Sequence, residues 1–203
     1  MILGSIRYAM VNVLCKIVNK VNLKRHGVVI PSDLRINGVL RLSKKHTQGK
    51  ILFGHNVVIN SSWKANPSGG GQTRTLLTVG TQGNLKIGNN CGISNSTIVC
   101  QKSIVIEDNV NIGVNSIIYD TDMHSIDYIY RMQKPDTHIK QKPVIIKEGA
   151  WIGGHSIILK GVTIGRHAVV AAGSVVTRNI PDDEVWGGNP ATKIRELKED
   201  INV

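Results

Sequence analysis

The run Asp120-Thr121-Asp122-Met123-His124-Ser125-Ile126-Asp127 gathers an imidazole and three carboxylates within eight residues. An imidazole titrates near neutrality, so His124 can take a proton from a hydroxyl that is itself a poor nucleophile. A carboxylate such as Asp122 or Asp127 can orient the ring and stabilise its charged form. Tyr128, Tyr130 and Arg131 follow closely and suit a polar, ring-bearing ligand. A polar loop in which His124 merely hydrogen-bonds backbone satisfies the same local residues. The surroundings of this run therefore decide how it is read.

Those surroundings are a repeat. Ile87, Ile93 and Val99 are spaced by six, and after one extra residue come Ile106, Ile112 and Ile118. The beat resumes at Ile146 and continues through Ile152, Ile158, Ile164, Val170 and Val176. Small or aliphatic residues stand two places earlier, among them Cys91, Thr97, Ser116, Ala150, Ser156, Ala168 and Ser174. The pattern predicts short strands with the large residue inward and the small one sharing that face by alternation. Pairs such as Gly88-Asn89 and Asp108-Asn109 suit corners that need positive φ. Three hexads then make one triangular coil, and stacked coils pair edge to edge. The fold class predicted is an all-β solenoid, a parallel β-helix.

Upstream the beat is weaker, at Ile30, Ile36 and Leu42 and at Phe53 and Ile59, with NPSGGGQTRT (66–75) as a turn or loop between coils. Four segments follow: an amphipathic helix over 1–25, irregular early coils over 26–84, regular coils over 85–180, and a C-terminal extension over 181–203. In the extension Pro190 suits the first turn of a short helix, with Ile194, Leu197 and Ile201 on one face. The His124 run opens the longest break in the beat, between Ile118 and Ile146, predicted as a protruding loop near 120–142. Insertions in a solenoid emerge as loops on one side and often carry function.

Composition agrees with a narrow prism. Of 203 residues 41% are hydrophobic but only 4% aromatic, with a single Phe and 21 Gly. Disorder and a Leu-rich bundle are excluded. Three cysteines without metal-like spacing argue against a disulfide scaffold and for a cytoplasmic setting. Lys plus Arg exceed Asp plus Glu by 25 − 14 = 11, and residues 1–50 hold ten of these bases against Asp33 alone. The N-terminal segment falls short of a secretory core or a membrane span. Read at helical period, Ile6, Met10, Val13, Ile17 and Val21 share one face, with Arg7, Lys16 and Lys20 largely off it. Such a helix either caps one end of the core with a solvated basic face, or makes peripheral contact with an anionic membrane, at its inner face in the cell.

In this repeat the sequence resembles the hexapeptide-repeat proteins, whose prism is left-handed. Residues 85–197 are similar to the maltose/galactoside and polysaccharide O-acetyltransferases, which use acetyl-coenzyme A. Their catalytic pattern ends H-P-hydrophobic-D and is matched by His124-Ser125-Ile126-Asp127, with Ser in place of Pro. The resemblance puts their acceptor-side asparagine on Asn95; Tyr128, in the loop suited to a ring-bearing ligand, is expected as a further acceptor contact. It puts the Trp beside the thioester on Trp151 and the oxyanion-facing amide on Gly154. Their pantetheine and phosphate segment falls on Ala172, Gly173, Thr177 and Arg178, and a phosphate-contacting base on Arg195. A second basic position is Thr192 here, with Lys193 as its substitute.

The resemblance implies an O-acetyltransferase with acetyl-CoA as donor and a sugar or surface-polysaccharide precursor as acceptor. His124 is then the general base of a direct transfer, no metal is required, and the sites lie between subunits of a homotrimer. Alternatives are N-acetylation of a nucleotide-linked amino sugar, a zinc enzyme of the same fold, and a non-catalytic solenoid that binds polyanions. Residues 1–84 lack a nucleotide-binding βαβ pattern. His155 and His167 are placed at solvent-facing corners rather than as zinc ligands. No nucleic-acid motif or aromatic stacking set accompanies the basic third.

Overall fold

A strand that carries Ile or Val on every inward position needs facing strands on all sides of a narrow interior, and the chain supplies them by winding. The computed structural model describes residues 2–44, 48–66 and 73–197, with side chains from Met10 onward. Successive strands fall in rotation onto three walls, each pairing with the strand one coil away. The first wall has eight strands, running from Arg35–Gly38 to Ala191–Glu196. The second has six, from Arg41–Lys44 to Val175–Val176, and the third five, from Lys50–Phe53 to Thr163–Ile164. Among the described residues the ladders between coils are parallel, whereas the last two strands of the first wall pair antiparallel.

The inward columns are those of the predicted beat, with one correction. On the first wall Ile59, Ile93, Ile112, Ile152 and Val170 stack in register, each no more than 2% exposed. On the second, the inward residue of the coil is Ile98, paired with Leu77 and Ile118, and not Val99. Its small partner is accordingly Ser96, fully buried, whereas Thr97 faces the rim. The corner before Ile98 is one residue short and the next is two residues long, so a six-residue count across it slips onto the wrong face. The early beat at Ile36, Leu42, Phe53 and Ile59 is in register with the later coils, and its strands are four residues long. Part of the 66–75 segment lies outside the described residues.

The corners explain the asparagines. Asn56, Asn90 and Asn109 have φ of 56°, 56° and 61°, a conformation Asn tolerates. Their amides also bond up the corner, Asn56 to Asn90 (3.3 Å), Asn90 to Asn109 (3.1 Å), and Asn109 to Glu148 (3.2 Å). Gly88 is required by proximity, because a Cβ there would stand 2.7 Å from the Asp108 backbone nitrogen. Inside another corner the hydroxyls of Ser96, Ser116 and Ser156 donate to the carbonyls of Gly113, Gly153 and Ala171 on the following coil.

The ends are a helix and a hairpin. Helix α1 (Ile2–Arg25) packs on the Arg35–Gly38 strand that opens the first wall. The predicted C-terminal helix is absent from the described residues. Glu184–Gly188 joins the first wall, turns at Pro190, and pairs antiparallel with Ala191–Glu196, placing Ile194 60% exposed. The Val185 and Trp186 pairing continues the ladder of Val169 and Val170, so the open sheet edge captures this segment before a helix can form. Ile201 lies outside the described residues.

Candidate active site

The long insertion leaves the second wall after Ile117–Tyr119 and returns on the third at Val144–Ile146. Its neck is held by an antiparallel bridge between Thr121 and Gln141, and by Lys142 N–H donating to Asp120 O (2.9 Å). The Asp120 carboxylate is fully buried and accepts from the backbone N–H groups of Gln101, Lys102 and Ser103 at 2.7, 2.7 and 2.8 Å. It therefore anchors the loop to the coil below.

Within the loop His124 projects outward, its side chain 73% exposed, with Nδ1 3.7 Å from Asp136 Oδ2. Asp136 is the carboxylate that faces the ring, and sequence reasoning missed it. Asp122 instead pairs with Lys160 (2.7 Å), and its Oδ2 is buried without a partner among the described residues. Asp127 caps helix α2 (Tyr128–Arg131), accepting from Ile129 N–H at 2.9 Å. Among the described residues the carboxylate paired with the His124 ring is that of Asp136, while Asp122 and Asp127 meet Lys160 and the Ile129 N–H.

The Ser in place of Pro has a consequence here. Ser125 donates to Asp136 through its N–H (2.8 Å) and through its hydroxyl, and proline has neither donor. These bonds, the hydroxyl's first, with a smaller contribution from His124, hold the Asp136 carboxyl below its ordinary 3.8. A carboxyl with a depressed folded pKa stabilises the fold above its unfolded pKa and loses that contribution as pH falls through the folded value. The Ser125–Asp136 bracing is thus expected to persist at neutral pH and to fail only below about pH 4. Amide exchange of the loop followed from pH 7 to 3 checks this, and loosening already at pH 6 would contradict it. Arg131 Nη1 closes the turn on the carbonyls of Ser125 and Ile126 at 2.9 and 2.7 Å. Tyr130 stacks on His138 with centroids 3.7 Å apart, while Tyr128 is 66% exposed.

Asn95 lies at a different corner, between the first and second walls. It adopts φ +46°, and its Nδ2 donates to Thr73 O (2.6 Å). Its Oδ1 is buried with no partner among the described residues. It lines a pocket of about 550 Å³ with Arg41, Thr73, Arg74, Thr97 and Asn115, which does not include His124. Two and three coils on, the same corner carries Gly154 and then Ala172 and Gly173, linked by Gly173 N–H donating to Gly154 O (2.9 Å). The Gly154 N–H itself meets no acceptor among the described residues. Gly153 beneath it admits no side chain, since a Cβ would stand 2.6 Å from Ala172 N. Trp151, 56% exposed, stands on the outside of the first wall just before this corner.

The structure thus groups Trp151, Gly154, Ala172 and Gly173 at the corner that opens the second wall, and sets His124 in the loop that leaves the far end of that wall after Ile117–Tyr119. Thr177 and Arg178 are exposed at the last turn of the second wall. Lys193 and Arg195 lie on the terminal hairpin. Lys193 Nζ bonds Glu184 (2.7 Å) and Glu196 (2.8 Å), which raises its pKa and occupies two of its three donors; Arg195 is exposed, and its side chain bonds the Glu196 carbonyl (3.1 Å). His155 and His167 are corner residues with φ of 61° and 55°, and His167 Nδ1 lies 2.9 Å from Asp183 Oδ1. Among the described residues no three metal-ligating side chains converge.

Comparison with known proteins places this geometry. Residues 143–178 match the bacterial transferase hexapeptide (six repeats), and residues 103–121 the hexapeptide repeat of succinyl-transferase. The chain is 41% identical over 117 residues to a Saccharomyces cerevisiae protein, YJL218W, whose own description as an acetyltransferase is provisional. It is 37% identical over 117 residues to the galactoside O-acetyltransferase of Escherichia coli (strain K12). Each match takes in 57% of this chain, and it spans 58% and 56% of the length of those relatives. A hexapeptide-repeat acetyltransferase from Vibrio cholerae O1 biovar eltor, solved with acetyl coenzyme A, superposes with a TM-score of 0.54 at 28% identity, over 82% of this chain and 72% of that one. With hexapeptide transferase repeats matched on two stretches of its three-walled prism, the chain has the fold of a left-handed parallel β-helix and is similar to hexapeptide-repeat acetyltransferases, the galactoside O-acetyltransferase among them.

Proposed function

We propose that this protein transfers an acetyl group from acetyl-CoA to a hydroxyl of a sugar or surface-polysaccharide precursor. The observation that carries the reading is the exposed His124 imidazole, braced at 3.7 Å by Asp136 in the long insertion of a transferase-type prism. In the mechanism Nδ1 faces the carboxylate, which leaves Nε2 to accept the acceptor's proton. The acceptor oxygen attacks the thioester carbonyl, and the resulting oxyanion is met by the Gly154 N–H, the donor left open at its corner. The imidazolium returns the proton to the departing thiolate, so atoms and charge balance without a covalent enzyme intermediate. The small corner of Gly154, Ala172 and Gly173 admits the pantetheine arm, and Arg178 and Arg195 offer guanidinium groups to phosphates. Lys193 contributes less, being tied to two carboxylates. The Vibrio cholerae relative solved with acetyl coenzyme A supports this donor.

Because His124 and Gly154 flank opposite sides of the second wall, a complete site is formed by two neighbouring copies in a homotrimer. The acceptor enters beside Asn95, whose open Oδ1 takes a hydroxyl proton donor. Arg41 and Arg74 border the same pocket, so the acceptor that fits it best carries an anionic group near its hydroxyl. Thiol release from acetyl-CoA across a panel of neutral and acidic sugars, sugar nucleotides and polysaccharide fragments tests the reading; no turnover with any hydroxyl acceptor would sink it. With an acidic acceptor, the Arg41→Gln/Arg74→Gln variant is expected to raise KM at least tenfold, as loss of one charged hydrogen bond costs about 1.5–3 kcal/mol. An unchanged KM would remove the anionic group from the proposal.

A further inference from the structure

Helix α1 meets the prism through its polar side. The Asn19 side chain is buried, donating to Gly38 O (2.8 Å) and accepting from Leu40 N–H (2.9 Å), so it closes the open edge of the first coil. Leu23 is buried next to it. At about 100° per residue, Met10, Leu14, Ile17, Val18 and Val21 lie on the opposite side, with Val11 and Val13 at the margins. All seven are between 46% and 62% exposed. The stripe predicted to cap the core is therefore turned away from it, and capping falls to one asparagine and one leucine. An apolar helix face is normally the buried one, so this face has a partner outside the chain.

Charge identifies that partner. Lys16, Lys20 and Lys24 form a row along one margin of the stripe, Arg25 ends the helix, and the helix holds no acidic residue. A second copy of this surface would bring an identical lysine row against the first. An anionic bilayer complements both parts, with acyl chains for the stripe and phosphates for the lysines. Crossing is not the alternative, since no helix among the described residues is long and apolar enough to span a membrane.

We infer that α1 docks this protein on an anionic membrane surface, lying in the interfacial plane with Met10, Leu14, Ile17 and Val21 toward the acyl chains and Lys16, Lys20 and Lys24 at the headgroups. His124 projects from the fourth coil, about 14 Å above the first at one strand spacing per coil, so docking leaves the loop clear of the surface.

Sedimentation of the full chain with phosphatidylcholine vesicles, with and without half phosphatidylglycerol, tests the inference. The protein is expected to pellet with the anionic vesicles alone, and less as salt is raised. Leu14→Gln/Ile17→Gln/Val21→Gln is expected to weaken binding at least tenfold with an unchanged sedimentation coefficient. Lys16→Gln/Lys20→Gln/Lys24→Gln changes only exposed side chains, keeps the fold, and is expected to weaken binding to anionic vesicles to a similar extent. Failure of the native chain to bind anionic vesicles, or equal binding by the lysine variant, overturns docking. Dissociation of an oligomer by the leucine–isoleucine–valine variant also overturns it and assigns the stripe to a second copy. Turnover of a water-soluble acceptor is unaffected in either variant, so this outcome is separable from the proposed chemistry.

Discussion

His124→Ala is expected to lower acetyl-CoA-dependent turnover by about 10²–10⁴-fold, the usual contribution of a general base. The loss should appear in kcat, because the imidazole acts on the proton in flight rather than on acceptor affinity. The variant should fold normally: the side chain is 73% exposed, and its ion pair is with Asp136. Far-UV dichroism and melting temperature matching the native protein, with thiol release reduced by at least two orders of magnitude, is the expected pair of results. Near-native turnover would remove His124 from the mechanism. Asp136→Asn keeps the shape but not the charge, and as a positioning substitution it should lower kcat by less than His124→Ala does, with KM unchanged.

Asp120→Ala has the largest expected effect on the structure. The carboxylate is fully buried, and three backbone N–H groups, of Gln101, Lys102 and Ser103, donate to it. Its removal strands these donors and is expected to cost about 3–5 kcal/mol, since hydrogen bonds to a charged group are worth about 1.5–3 kcal/mol each and part is regained from water. For a chain of this size that is a fall of about 10 °C in melting temperature. A second readout is independent of stability. Burial, and secondarily the Asp120 charge, push the Cys100 thiol up to about 12, so the variant should titrate this thiol at lower pH. An unchanged melting curve and unchanged thiol titration would show that Asp120 does not anchor the loop.

The long loop shows where sequence reading works and where it stops. His124 is legible because an imidazole opens the long break in a regular beat. Asp136 is not, because it lies twelve residues on in a segment without periodicity and reaches Ser125 and His124 only through the folding of the loop around α2. Asp122 and Asp127 are nearer in sequence, yet one is neutralised by Lys160 from a later coil and the other is used as a helix cap. Proximity along the chain selected the wrong carboxylates because loops, unlike helices and strands, set no fixed angle between neighbours. The Val99 slip has a similar origin: a corner shortened by one residue moves the inward face of that one strand to Ile98 before the longer next corner restores the beat, and the ladder to Leu77 and Ile118 reveals it.

Low aromatic content, the six-residue beat of Ile and Val, the corner asparagines and the insertion point are local and periodic, so the sequence by itself determined the prism and the place of its loop. Three things were settled only by tertiary structure. The terminal segment became a hairpin because an open sheet edge was available to it. The carboxylate beside His124 was chosen by loop closure. Helix α1 turned its apolar stripe outward because Asn19 could satisfy the exposed backbone of Gly38 and Leu40, a demand that no apolar side chain can meet. Each depends on which unsatisfied groups a finished surface presents, and these exist only once the coils have stacked.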